Sequence, residues 1–145
     1  MLRALRAFFP ALLFTYLVAS LLATQSVMQR LRELGVEISL QTQLQASWHD
    51  LLGMASSYLL LLLVTFAIAL PVAAGLVRLF RAHRTVLFVL AGFTGVLALH
   101  LTLSAVLSIT PIAAARTWPG LLGQCLAGAA GAWLYVRLSS GTGPR

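Results

Sequence analysis

Residues 51–77 are 27 consecutive positions without a single Asp, Glu, Lys or Arg. As an α-helix this run is about 40 Å long, and the hydrocarbon layer of a bilayer is roughly 30 Å thick. The run therefore predicts a transmembrane helix that tilts, bends or projects from the membrane. We expect a bend at Pro71, because a proline has no N–H to bond with the carbonyl of Ala67.

The composition of the whole chain is that of a membrane protein. Hydrophobic residues make up 60% of the 145 positions and charged residues only 9%, which excludes an ordinary water-soluble domain. The net charge of +7 comes from ten arginines, most of which flank apolar runs. This pattern is typical of membrane orientation and argues against binding to nucleic acid. The single cysteine, Cys125, excludes an intrachain disulfide and a CxxC redox pair.

The apolar runs divide the chain into four predicted spans. The fold class that we expect is all-α, an integral membrane four-helix bundle in a single domain covering residues 1–145. The basic leader also fits a signal peptide, but the 23 uncharged residues after it exceed an ordinary signal core, which favours retention as a first span. The transmembrane helices are expected at about residues 7–29, 51–77, 85–110 and 119–136, with a flexible tail at 138–145.

Residues 30–50 are the one polar segment of any length, and we expect them to form a short outer cap between the first two spans. Gly35 is predicted to end the first helix. From Ser39 onward the spacing is that of an amphipathic helix, and Ser47 with Asp50 fits a capping pair for the second span. This outer cap is interpreted either as a packed lid on the bundle or as a docking surface for a partner or substrate. Its candidate residues are Leu40, Leu44, Trp48, His49 and Asp50.

The arginines predict the orientation of the chain. Seven of them lie in the leader, the second connection and the tail, and three lie in the first and third connections. By the positive-inside rule both termini are then cytoplasmic. The use of arginine without any lysine is typical of a GC-rich bacterial genome, so we expect a bacterial inner membrane. Arg78, Arg81 and Arg84 are expected to contact the anionic headgroups of membrane lipids.

Small residues recur at four-residue intervals in the predicted fourth span. Such rows let a second helix backbone approach closely, which is how helices associate within lipid. The rows are expected to contact the third span or, alternatively, another subunit or a second copy of the chain. The predicted packing residues are Gly92, Gly95, Gly123, Ala127, Gly128 and Gly131.

Uncharged polar residues within the spans predict a polar belt in the outer half of the bundle, centred on His100. Counting about 1.5 Å per residue from the inner end of each span brings these residues to similar heights. They are interpreted either as hydrogen-bonding partners of one another or as the lining of a ligand pocket. The candidate residues are Tyr16, Ser20, Thr24, Thr65, His100, Ser104 and Gln124.

The sequence carries no recognisable catalytic or metal-binding constellation. No predicted span contains a carboxylate or an interior arginine, which disfavours cation- or proton-coupled transport. His100 has no second histidine at its depth, which disfavours haem, and no cofactor is expected. Neighbouring residues on a helix point apart, so His49 and Asp50 do not form a hydrolytic triad with Ser47.

Two functional hypotheses follow. The first is a small non-enzymatic bacterial membrane protein, an accessory or structural subunit that acts through helix contacts and the outer cap. The alternative is a lipid- or small-molecule-binding bundle, or a transporter component, with an uncharged polar pocket around His100.

Overall fold

The computed structural model of the chain describes residues 2–80, 83–107 and 113–140. Within these ranges the regular structure is entirely helical, as predicted, and no strand is present. The elements are α1 (Leu2–Glu33), α2 (Leu40–Gly53), α3 (Ala55–Phe80), α4 (Arg84–Leu107), a short 3-10 helix (Ala113–Arg116) and α5 (Trp118–Ser139).

Three of the described helices are long and apolar enough to cross a membrane, namely α1, α3 and α4. The qualifying segments are Arg3–Glu33, Ala55–Phe80 and Arg84–Val106. α5 does not reach the same apolarity, because it combines several glycines with polar and amphipathic side chains such as Gln124 and Tyr135. The helical class is thus confirmed, three helices are compatible with a membrane protein, and the fourth span stays a prediction.

The boundary between α2 and α3 differs from the sequence prediction. Residues 51–53, predicted to open the second span, belong to α2, and the helix is interrupted only at Met54. α3 then continues through Pro71 as far as Phe80, so that Arg78 lies in its last turn. The apolarity of residues 51–53 matched that of the span, and hydropathy alone could not place this break.

The capping of α2 also differs from the prediction. Ser39 is the N-cap, and its Oγ accepts a hydrogen bond of 3.2 Å from the N–H of Thr42. The capping pair predicted for Ser47 and Asp50 does not form, because the helix continues past both residues. Ser47 Oγ instead donates to the carbonyl of Gln43 within α2, at 2.9 Å.

Gly35 ends α1, as predicted. Its φ of +81° lies in the left-handed region that glycine adopts without steric cost. The N–H of Gly35 donates to the carbonyl of Arg32 at 2.9 Å, and the N–H of Val36 donates to that of Leu31 at 3.0 Å. This pair of bonds is a Schellman motif, which satisfies the last carbonyls of α1 and turns the chain towards α2.

The C-terminal boundary lies further along the chain than expected. α5 continues to Ser139, so residues 138–139 of the predicted tail are helical. Residues 108–110 of the third predicted span and 141–145 of the tail lie outside the described residues, as does Arg81.

The four long helices alternate in direction and form a bundle. The start of α1 lies beside the ends of α3 and α5, where Phe8, Ala74 and Tyr135 line a common groove. Arg84 at the start of α4 bonds with Ser139 at the end of α5. After the orientation predicted from the arginines, we call this end of the bundle the inner end, and the opposite end, with α2, the outer end. α5 packs chiefly against α1 and α4, while α3 packs chiefly against α4.

Glycines set the distance between α4 and α5. A Cβ atom placed on Gly92 would overlap the carbonyl oxygen of Gly128, and one placed on Gly128 would lie 2.5 Å from the carbonyl oxygen of Gly92. Only two glycines permit this approach of the two backbones. The predicted contact between the third and fourth spans is therefore present in the structure.

The remaining predicted packing residues have different surroundings. Gly131 faces α1, since a Cβ there would overlap the hydroxyl of Thr15. Gly95 faces α3 and not α5, whereas Ala127 is buried in the core. Gly123 is less constrained, because its nearest neighbour to an added Cβ is the end of the Leu22 side chain at 3.5 Å. α5 therefore uses small residues against two helices of its own chain.

Candidate functional site

Gln124 lies at the centre of the most connected group of polar side chains in the described residues. It is completely buried, and its Oε1 accepts a 2.6 Å hydrogen bond from the hydroxyl of Tyr58 on α3. Its Nε2 donates a 2.9 Å bond to the carbonyl oxygen of Ala19 on α1. That carbonyl has a second lone pair available besides the one used in its helix. One amide thus links three helices.

Aromatic rings and a histidine surround this bridge. The ring of Tyr58 lies 6.3 Å from that of Tyr16 and 6.1 Å from that of His100, measured between centroids. The hydroxyl of Tyr16 donates to the carbonyl of Leu51, which links α1 to the end of α2. Tyrosine is suited to such a position because its body is apolar and its hydroxyl requires a partner when buried.

The polar contacts continue to the outer end along α1. Thr24 Oγ1 donates to Asp50 Oδ2 at 2.9 Å and also approaches the carbonyl of Ser20 at 3.2 Å. Asp50 is half-buried, and its carboxylate is turned towards α1. We use the name polar cluster for this group, which consists of Tyr16, Ser20, Thr24, Asp50, Tyr58, His100 and Gln124.

Two members of the polar cluster retain an unused polar atom. Nε2 of His100 and Oγ of Ser20 are buried and have no hydrogen-bond partner among the described residues. His100 is 5% exposed and Ser20 is 1% exposed. A buried polar atom without a partner is costly, so these two atoms distinguish the polar cluster from a fully satisfied structural network.

The structure brings five of the seven predicted belt residues into the polar cluster and leaves two outside it. Thr65 is half-buried, and its hydroxyl donates to the carbonyl of Leu61 at 2.8 Å, one turn back in α3. Ser104 donates to the carbonyl of Leu101 at 2.9 Å within α4. Both hydroxyls are satisfied by their own helix, as is common for Ser and Thr, and need no partner on another helix.

Sequence reasoning missed Tyr58 and assigned Asp50 to the outer cap alone. Tyr58 begins a buried stripe at intervals of three or four residues along α3, continued by Leu62, Phe66, Leu70 and Ala73. Its position on that stripe was the available signal, but the uniform apolarity of the run concealed which face was buried. The contact of Asp50 with Thr24 had no counterpart in the sequence pattern.

The outer cap is not a packed lid. α2 has no buried residue, and the side chains of Leu40, Leu44 and Trp48 are 77%, 71% and 64% exposed. His49 is exposed as well, whereas Asp50 is half-buried against α1. Apart from Leu51, which packs against the core, the leucines and the tryptophan of α2 therefore point away from the bundle, and its polar face makes the contacts with α1.

At the inner end, the arginines predicted to contact headgroups have different surroundings. Arg78 is exposed on the last turn of α3. Arg84 donates to the hydroxyls of Ser139 and Ser140 at 2.7 and 3.1 Å, and its guanidinium carbon lies 5.5 Å from the centre of the Phe88 ring. Arg84 therefore joins the start of α4 to the end of α5, in addition to any contact with lipid.

The chemistry available to the polar cluster is that of hydrogen bonding. Its groups are two phenols, two hydroxyls, an amide, an imidazole and a carboxylate. The described residues contain no group of three or more His, Cys, Asp or Glu side chains that could hold a metal ion. The polar cluster is therefore suited to joining helices, and hydrogen-bonding capacity is left at His100 and Ser20.

Comparison of the sequence with models of known protein families, with curated proteins and with solved structures found no match. The fold and the polar cluster together define a class, namely a chain whose described residues form only helices, with three of them suited to crossing a membrane, and a hydrogen-bonded polar interior.

Proposed function

We propose that this chain is a non-enzymatic accessory or structural subunit of a bacterial inner membrane, with four spans and both termini in the cytoplasm. The observation that carries the proposal is the bridge through Gln124, because its amide is engaged by Tyr58 and Ala19 from two other helices. A side chain engaged at both ends stabilises a bundle and has little capacity left for a substrate.

The placement of α5 supports a fourth span. Gln124 bonds to α1 and α3, two helices apolar enough to cross a membrane, and Gly128 is in close contact with α4, the third. We expect a helix held this way among three candidate spans to lie in the same environment, and its modest apolarity is compatible with the protein contacts on its faces. Nine of its residues are buried, including Gly120, Gln124 and Ala132.

The glycines of α5 contact helices of the same chain, and this affects where another subunit can bind. Gly128 and Gly131 were the strongest candidates for contact with another subunit. In the structure Gly128 contacts α4 and Gly131 contacts α1. A partner protein or second copy is therefore expected on the outward faces of the bundle, and not on the glycine rows of α5. Membrane lipids are the other expected partners.

Purification in mild detergent followed by native mass spectrometry tests this function. We expect a stoichiometric protein partner to remain bound to the tagged chain. Photo-crosslinking residues at Val64 and Leu126, on the outward faces of α3 and α5, would identify which face it contacts. Recovery of the chain alone, with a retained lipid or quinone, would contradict a subunit function and support the alternative.

The alternative, a lipid- or small-molecule-binding bundle, is favoured by one observation. Nε2 of His100 and Oγ of Ser20 are buried without partners, and both can bond to a carbonyl or hydroxyl group of a ligand. The same preparation made with His100→Ala distinguishes the two functions. Loss of a copurifying ligand with unchanged thermal stability indicates a site, whereas loss of stability alone indicates a structural residue.

A further inference from the structure

A cavity lies at the outer end of the bundle, between the last turns of α1 and the start of α5. Its volume is about 340 Å³, within the roughly 300–1,000 Å³ that ligand pockets occupy. Leu22 of α1 and Pro119 of α5 supply apolar surface to it. The polar side chains of its α1 wall include Gln25, Gln29, Arg30 and Glu33. No member of the polar cluster lines this cavity, so it is a separate feature of the fold.

Arg30 is the residue that gives this cavity a chemical preference. The residue is half-buried, and its Nη2 is buried without a hydrogen-bond partner among the described residues. Glu33, one turn further on, is exposed to water and accepts a hydrogen bond from Gln29 at 3.4 Å. A guanidinium keeps its charge and offers only donors, so a buried nitrogen without an acceptor is costly. An anion in the cavity supplies both the acceptor and the opposite charge.

Two further parts of the cavity wall favour an anion with several oxygens. The Oε1 of Gln25 accepts a hydrogen bond from Gln43 at 2.5 Å, which leaves the amide nitrogen of Gln25 as a donor. Gly120, on the opposite wall, belongs to the first turn of α5, a helix of 22 residues. The first N–H groups of a helix have no partner within it and carry a partial positive charge. Phosphate has enough oxygens for such a set of donors, and arginine binds it through two nitrogens at once.

We propose that this cavity binds a phosphate group, held by the guanidinium of Arg30 and the first turn of α5. Such a group has two sources, namely the headgroup of a phospholipid in the outer leaflet and a free phosphate in the water outside. Both present the same oxygens to Arg30. They differ in the remainder of the molecule, because the acyl chains of a lipid would lie along the apolar surface at Leu22.

The position of the cavity along α1 suits a lipid headgroup. The exposed side chains of α1 are apolar as far as Leu22 and polar from Gln25, a change that marks the edge of the hydrocarbon layer in a spanning helix. Arg30 lies about 12 Å beyond Leu22 along the helix, and the headgroup layer is about 5–7 Å thick. Helical side chains point towards the N-terminus, so the guanidinium of Arg30 reaches back towards this layer. Trp118, which is 80% exposed beside the cavity, is a residue type enriched at this depth.

Thermal melting of the full chain in dodecyl maltoside tests the proposal, because a ligand that binds only the folded chain raises the melting temperature. One arm adds sodium phosphate, with sodium chloride of equal ionic strength as the reference. The other adds dioleoylphosphatidylglycerol, with dioleoylglycerol, which lacks the phosphate, as the reference. Both arms use the unchanged chain, Arg30→Gln and Arg32→Gln. Arg32 is the matched control, since it lies two residues further on, is exposed and bonds with Gln43.

We expect the melting temperature of the unchanged chain and of Arg32→Gln to rise with at least one of the two phosphate compounds. Arg30→Gln should need an about tenfold higher concentration for the same rise, because it loses hydrogen bonds to a charged group. A rise with phosphatidylglycerol alone would identify a lipid headgroup as the ligand, and a rise with sodium phosphate would identify a free phosphate. The lipid source rests on the membrane placement proposed above, whereas the phosphate chemistry does not.

No rise with either compound, or equal rises in Arg30→Gln and Arg32→Gln, would overturn the proposal. If Arg30→Gln does not fold, Arg30→Lys takes its place, since lysine keeps the charge and loses the planar pair of donors. Unchanged binding by Arg30→Lys would then overturn the proposal as well. The proposed function is tested separately, by the protein partner that remains bound in mild detergent, so the failure of one leaves the other standing.

Discussion

At the scale of single residues, Gln124 shows how an amide is accommodated among apolar side chains. Both ends of the amide are bonded, one to a side chain of α3 and the other to the backbone of α1. Hydrogen bonds between membrane helices contribute about 0.6 kcal/mol on average and up to about 1.7 kcal/mol. The larger energetic effect comes from removing one partner, because the other is then buried without a bond.

We expect Tyr58→Phe to lower the free energy of unfolding by about 1–2 kcal/mol, since Oε1 of Gln124 loses its donor. The double variant with Gln124→Leu is expected to lose less than the sum of the two single variants. Denaturant titration in detergent, followed by circular dichroism, measures all three. Thr94→Val is the control, because the exposed Thr94 bonds only to Leu90 of its own helix, and should change stability by less than about 0.5 kcal/mol. Strictly additive losses would mean that the two side chains are not coupled.

At the scale of helices, the contact between α4 and α5 depends on backbone approach. Lipid is as apolar as leucine, so helices in a membrane associate through packing and hydrogen bonds and gain little from the hydrophobic effect. The opposed glycines at 92 and 128 allow this packing, and Val96 fills the space beside them. Gly131 has a comparable role against α1, whereas an added Cβ on Gly53 or Gly75 would have no neighbour within 4 Å.

The glycine contact predicts opposite effects of one substitution at two helical positions. Gly92→Ala should destabilise the bundle by about 1–3 kcal/mol, because the added methyl overlaps the backbone of α5. Gly75→Ala should be neutral or stabilise by up to about 1 kcal/mol, because nothing lies within 4 Å of the added Cβ and alanine favours the helix. Thermal melting in detergent measures both. Equal tolerance at the two positions would contradict a glycine-dependent contact.

At the scale of the whole molecule, the alternating helices bring both ends of the described chain to the inner end of the bundle. The start of α1 and the end of α5 lie beside the arginines at 78 and 84, while α2, with Asp50, lies at the opposite end. This arrangement separates a basic end from the end that carries the acidic residues Glu33, Glu37 and Asp50. The outer end also carries Arg30 and Arg32, and it is the excess of arginine at the other end that predicts the orientation.

We expect a reporter fused after Arg145 to be active only in the cytoplasm. A cysteine replacing Gln43, in a chain with Cys125→Ala, should react with a membrane-impermeant reagent in intact cells. The expectation rests on the excess of arginine in the leader, the second connection and the tail. Labelling at position 43 only after permeabilisation would reverse the orientation proposed for the chain.

The sequence by itself determined the helical class, the apolar runs and the end of α1. Hydropathy is a local property that adds along the chain, so it identifies helices suited to a membrane without knowledge of their neighbours. Gly35 could be assigned from sequence because the left-handed conformation that ends a helix favours one residue type. Heights counted along each helix were less accurate, because Thr65 was expected level with Gln124, whereas the residue of α3 that bonds to Gln124 is Tyr58, about 10 Å further towards the outer end.

Only the tertiary structure decided how each helix is rotated about its axis. The run of α3 is apolar all round and did not reveal its buried face, which the structure places on Tyr58, Leu62, Phe66, Leu70 and Ala73. The spacing of Leu40, Leu44 and Trp48 predicted an amphipathic helix, but its apolar face points away from the bundle. In a chain that can contact lipid, an apolar face is stable both inside the bundle and outside it. The choice between them depends on which polar groups find partners across helices, as Asp50 does with Thr24.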